Sequence, residues 1–322
     1  MILVTGASGF LGLHLLETLI KQGIPIRALY FSKKPEYVHP LIEWVYCNLL
    51  DVYEVEDVMQ GVELVYHCAA VVSFDKKDRE RVIEQNRATT ANVVNEALNS
   101  GVKKLLFVSS IAALGRMVKD KNTIDEETQW EDSANNSSYA IGKYLSEMEV
   151  WRGFAEGLPI VIVNPGIILG EGDYSKGSAH LFQSVYDGLP YYTEGVNGWV
   201  DVKDVVEAMA FLMNSGIVGE RFILIEGNYS YKYIFEQMAL GLDKKPPTQK
   251  VSPFLGSVIW RLIAIKNLFS NKKSSITNET AKTAQTKCFY SNEKLLTSLP
   301  KFSFTPMDTT INRISKDFLN NV

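Results

Sequence analysis

Apolar and polar positions in the first half of the chain follow two alternating periods. Short runs of β-branched and other apolar residues predict six strands, at residues 2–4, 26–30, 44–46, 64–67, 105–108 and 160–163. Several of these runs are apolar on both faces, which is typical of a parallel sheet covered by helices. Between them, Leu11, Leu15 and Leu19, and later residues 82–98, recur at helical spacing. The βαβαβ order therefore predicts an α/β fold with a doubly wound parallel sheet of the Rossmann type.

The pattern changes after Pro165, where scattered glycines and aromatic residues predict a loop-rich region. We expect residues 1–165 to form the principal domain, with residues 199–225 returning to it. Residues 166–198 and 226–322 are then a smaller C-terminal region. Its aromatic residues are interpreted as a lid or as core packing: Phe182, Tyr186, Tyr191, Tyr192 and Trp199. The apolar stretch 254–269 is shorter than the ~20 residues of a membrane span, so it predicts a lid, a packed helix or a peripheral membrane contact.

The composition is that of an ordinary globular protein, with 46% hydrophobic and 22% charged residues. The 33 basic and 37 acidic residues give a net charge of −4, which argues against nucleic-acid and anionic-membrane partners because both need a basic face. Small molecules are the expected partners.

Cysteine spacing and the start of the chain favour a cytoplasmic location. Cys47, Cys68 and Cys288 are far apart and leave an odd number, and Met1 leads directly into the first strand. We therefore expect no signal peptide and no transmembrane segment. The four histidines have no metal-binding spacing, so we expect no metal site; His67, which ends a strand, is interpreted as structural.

A glycine-rich run, Thr5-Gly-Ala-Ser-Gly-Phe-Leu-Gly12, follows the first predicted strand and leads into an apolar-periodic helix. Glycines permit a tight turn and a close backbone approach, while the helix N-terminus offers unpaired N–H groups to a phosphate. In this strand–turn–helix context the run predicts a dinucleotide pyrophosphate site. Residues 1–165 are then a dinucleotide-binding domain, and the expected contacts are Gly6, Ser8, Gly9, Phe10, Leu11 and Gly12.

The end of the second predicted strand bears on the choice between NAD and NADP. An acidic residue there accepts the ribose hydroxyls of NAD, whereas a basic residue favours the additional phosphate of NADP. Tyr30 is followed by Lys33 and Lys34, and the first carboxylate is Glu36. We therefore favour NADP, with contacts from Tyr30 and Lys33, and keep NAD as the alternative because both lysines fit a solvated loop equally well.

A phenol and an amine, Tyr139 and Lys143, lie four residues apart at the start of a helical pattern. They share one helix face. Reduction of a carbonyl needs a proton for the oxygen, and a phenol can supply it if a neighbouring ammonium lowers its pKa. Residues 105–108 deliver Ser109 and Ser110 to the carboxyl end of a strand, where a hydroxyl can hydrogen-bond a developing oxyanion. The sequence thus predicts Tyr139, Lys143 and one of these two serines as catalytic residues.

These motifs, in this order, resemble the extended short-chain dehydrogenase/reductase superfamily, to which the NAD-dependent epimerases and dehydratases belong. The resemblance covers most of the first 210 residues. It implies that Ser110 is the catalytic serine, with Ser109 as second choice, and that two helices near residues 80–100 and 139–155 form a homodimer. It also implies cofactor contacts at Cys68, Ala69, Ala70, Asn86, Tyr139, Lys143 and Pro165. Asn48 and Leu49 are further expected cofactor contacts. Asn48 stands where the family often has an adenine-binding aspartate, which is a departure from the pattern.

Within the superfamily, residues 161–170 resemble dihydroflavonol reductases and hydroxysteroid dehydrogenases. Sugar-nucleotide enzymes usually have a tyrosine at the position of Leu114 and more arginines in the substrate half, where this chain has Arg221, Arg261 and Arg313. The expected function is reversible hydride transfer between NAD(P) and a ketone, aldehyde or alcohol of a moderately apolar small molecule.

Two alternatives remain: a nucleotide-sugar epimerase or dehydratase of the same superfamily, and a non-catalytic dinucleotide-binding regulatory protein. A pair of carboxylates, Glu126 and Glu127, precedes the tyrosine helix. We interpret the pair as solvated surface.

Overall fold

The computed structural model describes residues 1–73, 78–115, 123–133, 136–251 and 284–322. Within these residues the strands are β1 (Ile2–Thr5), β2 (Ile26–Tyr30), β3 (Ile42–Tyr46), β4 (Leu64–His67), β5 (Lys104–Val108), β6 (Ile160–Pro165), β7 (Ile167–Leu169), β8 (Tyr191–Tyr192), β9 (Val196–Asp201), β10 (Glu220–Leu224), β11 (Gly227–Ser230) and β12 (Gln249–Lys250). The helices are α1 (Phe10–Leu19), α2 (Val52–Met59), α3 (Arg79–Asn99), α4 (Ser138–Ala155), α5 (His180–Tyr186), α6 (Val202–Asn214), α7 (Tyr231–Gly241), α8 (Glu293–Ser298) and α9 (Met307–Asn320).

Seven strands form one parallel sheet in the order β10-β6-β5-β4-β1-β2-β3. The strand order reverses between β1 and β4, which is where ligands bind in doubly wound sheets. Because every strand runs in the same direction, all carboxyl ends lie along one edge of the sheet. The predicted α/β fold with its doubly wound parallel sheet is confirmed.

The sheet is apolar on both faces because alternate residues of each strand point to opposite sides. Ile2 and Val4 pack with α1 and α6 in one core, whereas Leu3 packs with α2, α3 and α4 in the other. Residues 220–224 return to the sheet as β10, beside β6, and α6 packs on the same face as α1. β9 does not join this sheet: it lies between β7 and β11 in a three-stranded sheet.

A third core lies beneath the three-stranded sheet and joins α5, α7 and α9. Phe182, Trp199 and Phe318 are fully buried in it. Of the two interpretations of these aromatic residues, core packing therefore applies to Phe182 and Trp199. Tyr186 and Tyr192 pack against the same core, and Tyr191 is 39% exposed.

The stretch 254–269 lies outside the described residues. Among the residues that the structure does describe, none forms a helix long and apolar enough to span a bilayer.

Packing of α9 against this third core leads to a stability prediction. Phe318 contacts the rings of Tyr174 and Tyr186 at centroid distances of 4.8 and 5.2 Å. We expect Phe318→Ala to lower the free energy of unfolding by about 3–5 kcal/mol, because it leaves a cavity. The neighbouring Leu319 is 43% exposed, so Leu319→Ala should change the free energy of unfolding by less than about 0.5 kcal/mol. Urea titrations of both variants measure the two free energies of unfolding. Equal losses in the two variants would contradict the packing of Phe318 in the third core.

Candidate active site

The glycine turn after β1 packs more closely than a side chain would allow. Gly6 has φ +65°, and a Cβ there would lie 2.7 Å from the backbone nitrogen of Ala69. A Cβ on Gly12 would lie 2.3 Å from the carbonyl oxygen of Gly6. Glycine is therefore required at both positions. The turn brings the N-terminus of α1, with the unpaired N–H groups of a first helical turn, to the carboxyl edge of the sheet.

A cleft of about 340 Å³ opens beside this turn, within the size range of small-molecule sites. Residues at and beyond the carboxyl ends of β1 to β4, with two from α3, form its walls. They are Gly6, Ser8, Gly9, Leu29, Tyr30, Phe31, Cys47, Asn48, Leu49, Leu50, Cys68, Ala69, Ala70, Val71, Gln85 and Thr89. The glycine cradle fits a pyrophosphate, and the mainly apolar walls fit an adenine ring, so the cleft suits the adenosine half of a nicotinamide dinucleotide.

The predicted cofactor residues divide into those that line this cleft and those that lie elsewhere. Nine line it: Gly6, Ser8, Gly9, Tyr30, Asn48, Leu49, Cys68, Ala69 and Ala70. Phe10, Leu11 and Gly12 form the first turn of α1. The ring of Phe10 lies next to Gly172, where a Cβ would be 3.2 Å away, so this residue contacts the segment after β7.

Three other predicted cofactor residues are not among those lining the cleft. Lys33 is exposed and lies 3.7 Å from the Glu36 carboxylate. The buried side chain of Asn86 accepts a hydrogen bond from the Val71 N–H at 2.7 Å and donates one to the Val71 carbonyl at 2.9 Å. Asn86 therefore fixes the loop after β4. Pro165 ends β6 and is buried at the carboxyl edge of the sheet.

The three predicted catalytic residues come together next to this cleft. Ser110 follows β5, and its hydroxyl shares a hydrogen bond with the phenol of Tyr139 on α4. Lys143, one turn further along α4, donates to the carbonyl of Val108 at 2.7 Å. Cys68, in the cleft wall, interacts electrostatically with Lys143. The trio therefore adjoins the β4 end of the cleft, as a nicotinamide site would.

The structure distinguishes between the two neighbouring serines. Ser109 is turned to the other side of the strand end, and its hydroxyl donates to the Glu147 carboxylate at 2.7 Å. Ser110 instead faces Tyr139 and accepts a hydrogen bond from the Ala112 N–H at 3.1 Å. Of the two, Ser110 is the hydroxyl placed beside the phenol.

Burial moves the pKa values of both titratable members of the trio. Desolvation raises the pKa of Tyr139 above its ordinary value, and the hydrogen bond from Ser110 partly opposes this rise. The expectation of a phenol pKa below its ordinary value is therefore wrong. Desolvation lowers the pKa of Lys143 to about 8, against the opposing effects of Cys68 and Glu147. At neutral pH the site holds a neutral phenol beside an ammonium.

Sequence reasoning missed two features: the partners of His67, a residue that it interpreted as structural, and the burial of Glu126. Thr5 and Thr90 hydrogen-bond the two ring nitrogens of the buried His67 at 2.7 and 3.0 Å. Burial and the Lys143 charge lower the pKa of His67 to about 3. This histidine is therefore neutral, and its hydrogen bonds connect β4 to β1 and α3. The order of these residues along the chain gives no signal for such a contact.

The second missed feature is Glu126, which we interpreted as solvated surface. It is buried, and its carboxylate accepts a hydrogen bond from the Ile223 N–H of β10 at 2.8 Å. The interpretation is wrong for Glu126, whereas Glu127 is exposed. Glu126 ties the segment before α4 to the sheet.

Comparison with known proteins identifies the family to which these features belong. The sequence model of the NAD dependent epimerase/dehydratase family matches residues 2–224. The chain belongs to this family. The resemblance predicted from the glycine turn, the serine and the Tyr139–Lys143 pair is confirmed.

Relatives within the family include reductases and other enzymes. The chain is 30% identical over 228 residues to sterol demethylase protein B of Methylococcus capsulatus, covering 69% of this chain and 68% of the relative. It is 30% identical over 244 residues to a putative dihydroflavonol 4-reductase of Synechocystis, covering 73% and 71%. The crystal structure of gox2253 superimposes with a TM-score of 0.83 at 25% identity, over 100% of this chain and 98% of that one. Family membership makes the chain a member of a group of NAD(P)-dependent reductases, epimerases and dehydratases.

The close contact at the family's glycine turn leads to a prediction. In Gly12→Ala, the new methyl group meets backbone atoms of Gly6 and Ala7, so we expect a loss of about 1–3 kcal/mol in stability. The N-terminus of α1 should also move, weakening thermal stabilisation by NADPH or NADH.

Gly216→Ala is the matched control, since a Cβ at Gly216 has no atom within 4 Å. Thermal unfolding with and without each dinucleotide checks both variants. A Gly12→Ala protein with the melting temperature and ligand response of the control would show that the turn tolerates a side chain.

Proposed function

We propose that this protein is an NAD(P)-dependent carbonyl reductase acting on a moderately apolar small molecule. The observation that carries the proposal is the placement of the Ser110 hydroxyl on the phenol of Tyr139, with the buried Lys143 ammonium one helical turn away. A protein that only binds a dinucleotide needs neither a proton donor nor a buried ammonium. This argument also speaks against a non-catalytic regulatory role.

The mechanism assigns one role to each member of the trio. A nicotinamide dinucleotide held by the glycine turn and the cleft wall would supply the hydride. Tyr139 gives its proton to the substrate oxygen, whose negative charge grows in the transition state. Ser110 donates a hydrogen bond to the same oxygen. Lys143 stabilises the phenolate that remains, and it is held in place by the Val108 carbonyl.

The pKa shifts favour the reductive direction. Because burial raises the pKa of Tyr139, the phenol remains protonated at neutral pH and is ready to act as an acid. Lys143, with a pKa of about 8, is mostly charged at pH 7. Reduction starts from a protonated Tyr139 and a charged Lys143, and these are the protonation states favoured at neutral pH.

The arginines of the second half support a substrate without a diphosphate. Arg221 is bound to Glu147 and to the carbonyl oxygens of Glu126 and Thr128. Arg313 is bound to the carboxylates of Glu171 and Asp201. A sugar nucleotide needs cations that can pair with its phosphates. Both arginines that the structure describes after Pro165 are instead committed to internal partners, which favours a carbonyl reductase over a sugar-nucleotide enzyme.

We further propose NADP as the preferred cofactor. None of the residues that line the cleft is an aspartate or a glutamate. The nearby carboxylates are engaged, since Glu54 accepts from the Asn48 N–H at 2.6 Å and Asp51 caps α2. Lys33 and Lys34 follow the cleft residues Tyr30 and Phe31 on an exposed turn. A 2′-phosphate would therefore meet these two lysines and no carboxylate of the cleft wall, although Lys33 also lies 3.7 Å from the exposed Glu36 carboxylate.

The proton donor is tested by Tyr139→Phe. The variant should bind NADPH with an unchanged Kd but lose at least about 100-fold in kcat, because a general acid contributes about that factor. The measurements are a fluorescence titration of NADPH and its oxidation in the presence of a panel of aldehydes, ketosteroids and flavonoid ketones. Tyr144→Phe, on the same helix, removes a hydroxyl from a ring that stacks on Trp130 and should retain activity. Undiminished turnover in Tyr139→Phe would refute the assigned role.

Cofactor preference is tested by charge reversal at Lys33. The wild-type protein should have a lower Kd for NADPH than for NADH. Lys33→Glu should raise the Kd for NADPH by about fivefold, the effect of roughly 1 kcal/mol for an exposed charge pair, and leave that for NADH unchanged. Lys21→Glu, in the short turn of 3-10 helix that follows α1, is the control. Tighter binding of NADH than NADPH by the wild-type protein would refute the preference.

A further inference from the structure

One carboxylate behind the trio, that of Glu147, is fully buried and surrounded by hydrogen-bond donors. Its Oε2 accepts from the Ser109 hydroxyl at 2.7 Å and from the Asn164 amide at 3.0 Å. Its Oε1 accepts from Arg221 at 3.0 Å and from the Trp151 indole at 3.4 Å. Both carboxylate oxygens are therefore committed, and all four partners are donors.

These partners come from different elements that converge on the catalytic serine. Ser109 adjoins Ser110 directly. The Asn164 amide, at the end of β6, also donates to the carbonyl of Ser110 at 3.0 Å. Glu147 itself lies one turn after Lys143 on α4. The carboxylate thus connects the segment that carries the serine to the helix that carries the phenol and the ammonium.

The same carboxylate also connects the segment before α4 to the sheet. Arg221, on β10, donates one hydrogen bond to the Glu147 carboxylate. Its other guanidinium nitrogens donate to the carbonyl oxygens of Glu126 and Thr128. Residues 126–128, which precede α4, are therefore held to β10. Loss of the carboxylate would remove the links of Ser109, Asn164 and Arg221 to α4 together.

We propose that Glu147 is a positioning residue that sets the placement of Ser110 relative to Tyr139 and Lys143. The inference rests on the proposed reductase function. Glu147 touches neither the cofactor cleft nor the reacting atoms, so it acts through Ser109, Asn164 and the backbone of Ser110. A carboxylate is required because it offers two acceptor oxygens, whereas a glutamine would turn an NH2 group toward one pair of donors.

The carboxylate also acts on Lys143 through its charge. The charged or titratable groups that face Lys143 are Tyr139 and Glu147 from its own helix and Cys68 and His67 from the end of β4. Burial raises the pKa of Tyr139 and keeps the phenol neutral. His67 is neutral, and burial keeps the Cys68 thiol protonated by raising its pKa to about 12. Glu147 therefore supplies the negative charge that favours the ammonium. Removal of this charge lowers the pKa of Lys143, so the ammonium is lost at a lower pH.

The test compares Glu147→Gln with Glu149→Gln, which makes the same chemical change on the same helix at a surface pair with Arg87 and Arg152. Glu147→Gln should lower kcat by about ten- to a hundredfold, as expected for misplaced catalytic groups, with the KM for NADPH within about twofold. The alkaline limb of its pH–rate profile should move to lower pH. Glu147→Asp, which keeps the charge, should lose kcat without moving that limb.

Hydrogen–deuterium exchange provides a readout that needs no substrate. In Glu147→Gln, amides of residues 104–115 should exchange faster, while those of β1 and β2 stay as in Glu149→Gln. If Glu147→Gln does not fold, Ser109→Ala removes one link to the carboxylate and should show the same local exchange with a smaller loss of kcat.

Two results would overturn the proposal. One is a Glu147→Gln protein with the kcat, pH profile and exchange of the control. The other is uniformly faster exchange over the whole sheet with an unchanged kcat per folded molecule, which would indicate a role in stability alone. If the wild-type protein reduces no carbonyl of the panel, the reductase proposal fails, whereas the exchange comparison still decides whether Glu147 holds the serine segment.

Discussion

The buried ammonium of Lys143 constrains everything around it. Its side chain is only 4% exposed, and a charge removed from water must be compensated by nearby partners. The Val108 carbonyl accepts its hydrogen bond at 2.7 Å, and the ring of Phe107 lies 5.0 Å from the ammonium. Both partners belong to β5. The cost of burying this charge therefore fixes α4 against the strand that delivers Ser110, so that hydroxyl and phenol meet.

The sheet topology supplies the second half of the arrangement. The cleft lies over β1 to β4, and the trio lies over β5 and α4, with Cys68 between them. These two parts are separate in sequence but share one edge because all seven strands are parallel. The close backbone contact between Gly6 and Ala69 joins β1 to the chain after β4. A dinucleotide that extends along this edge would pass from the adenosine cleft to the trio.

Local sequence patterns predicted the parts of the molecule that depend on short-range chemistry. The apolar runs of the strands predicted the parallel sheet, and the strand–glycine–helix order predicted the glycine turn. Both predictions succeeded because each pattern depends on only a few neighbouring residues. The pattern could not choose between Ser109 and Ser110, since which hydroxyl faces α4 depends on the strand register. Nor could it find the pairing of Glu147 with Arg221, which are 74 positions apart. Glu126 lies in a polar stretch, and its burial depends on β10, which arrives about a hundred residues later.

Burial accounts for the remaining differences between the sequence predictions and the structure. A lysine four residues after a tyrosine suggests a lowered phenol pKa, but both groups are buried, and desolvation of the phenol has the larger effect. Phe182 and Trp199 lie among glycines in the sequence, yet they are buried by α7 and α9.

The buried charges of the second half lie at its borders with the main sheet. Arg221 links β10 to α4 and to the segment before it, and Arg313 links α9 to Glu171 and Asp201 beside α6. The backbone of Glu171 in turn bonds His14 of α1 at 2.9 Å. Apolar contacts hold these layers together without a preferred direction, whereas charge-assisted hydrogen bonds are directional. Arg313 therefore orients α9 relative to the chain beside α6, and Arg221 orients the segment before α4 relative to the sheet.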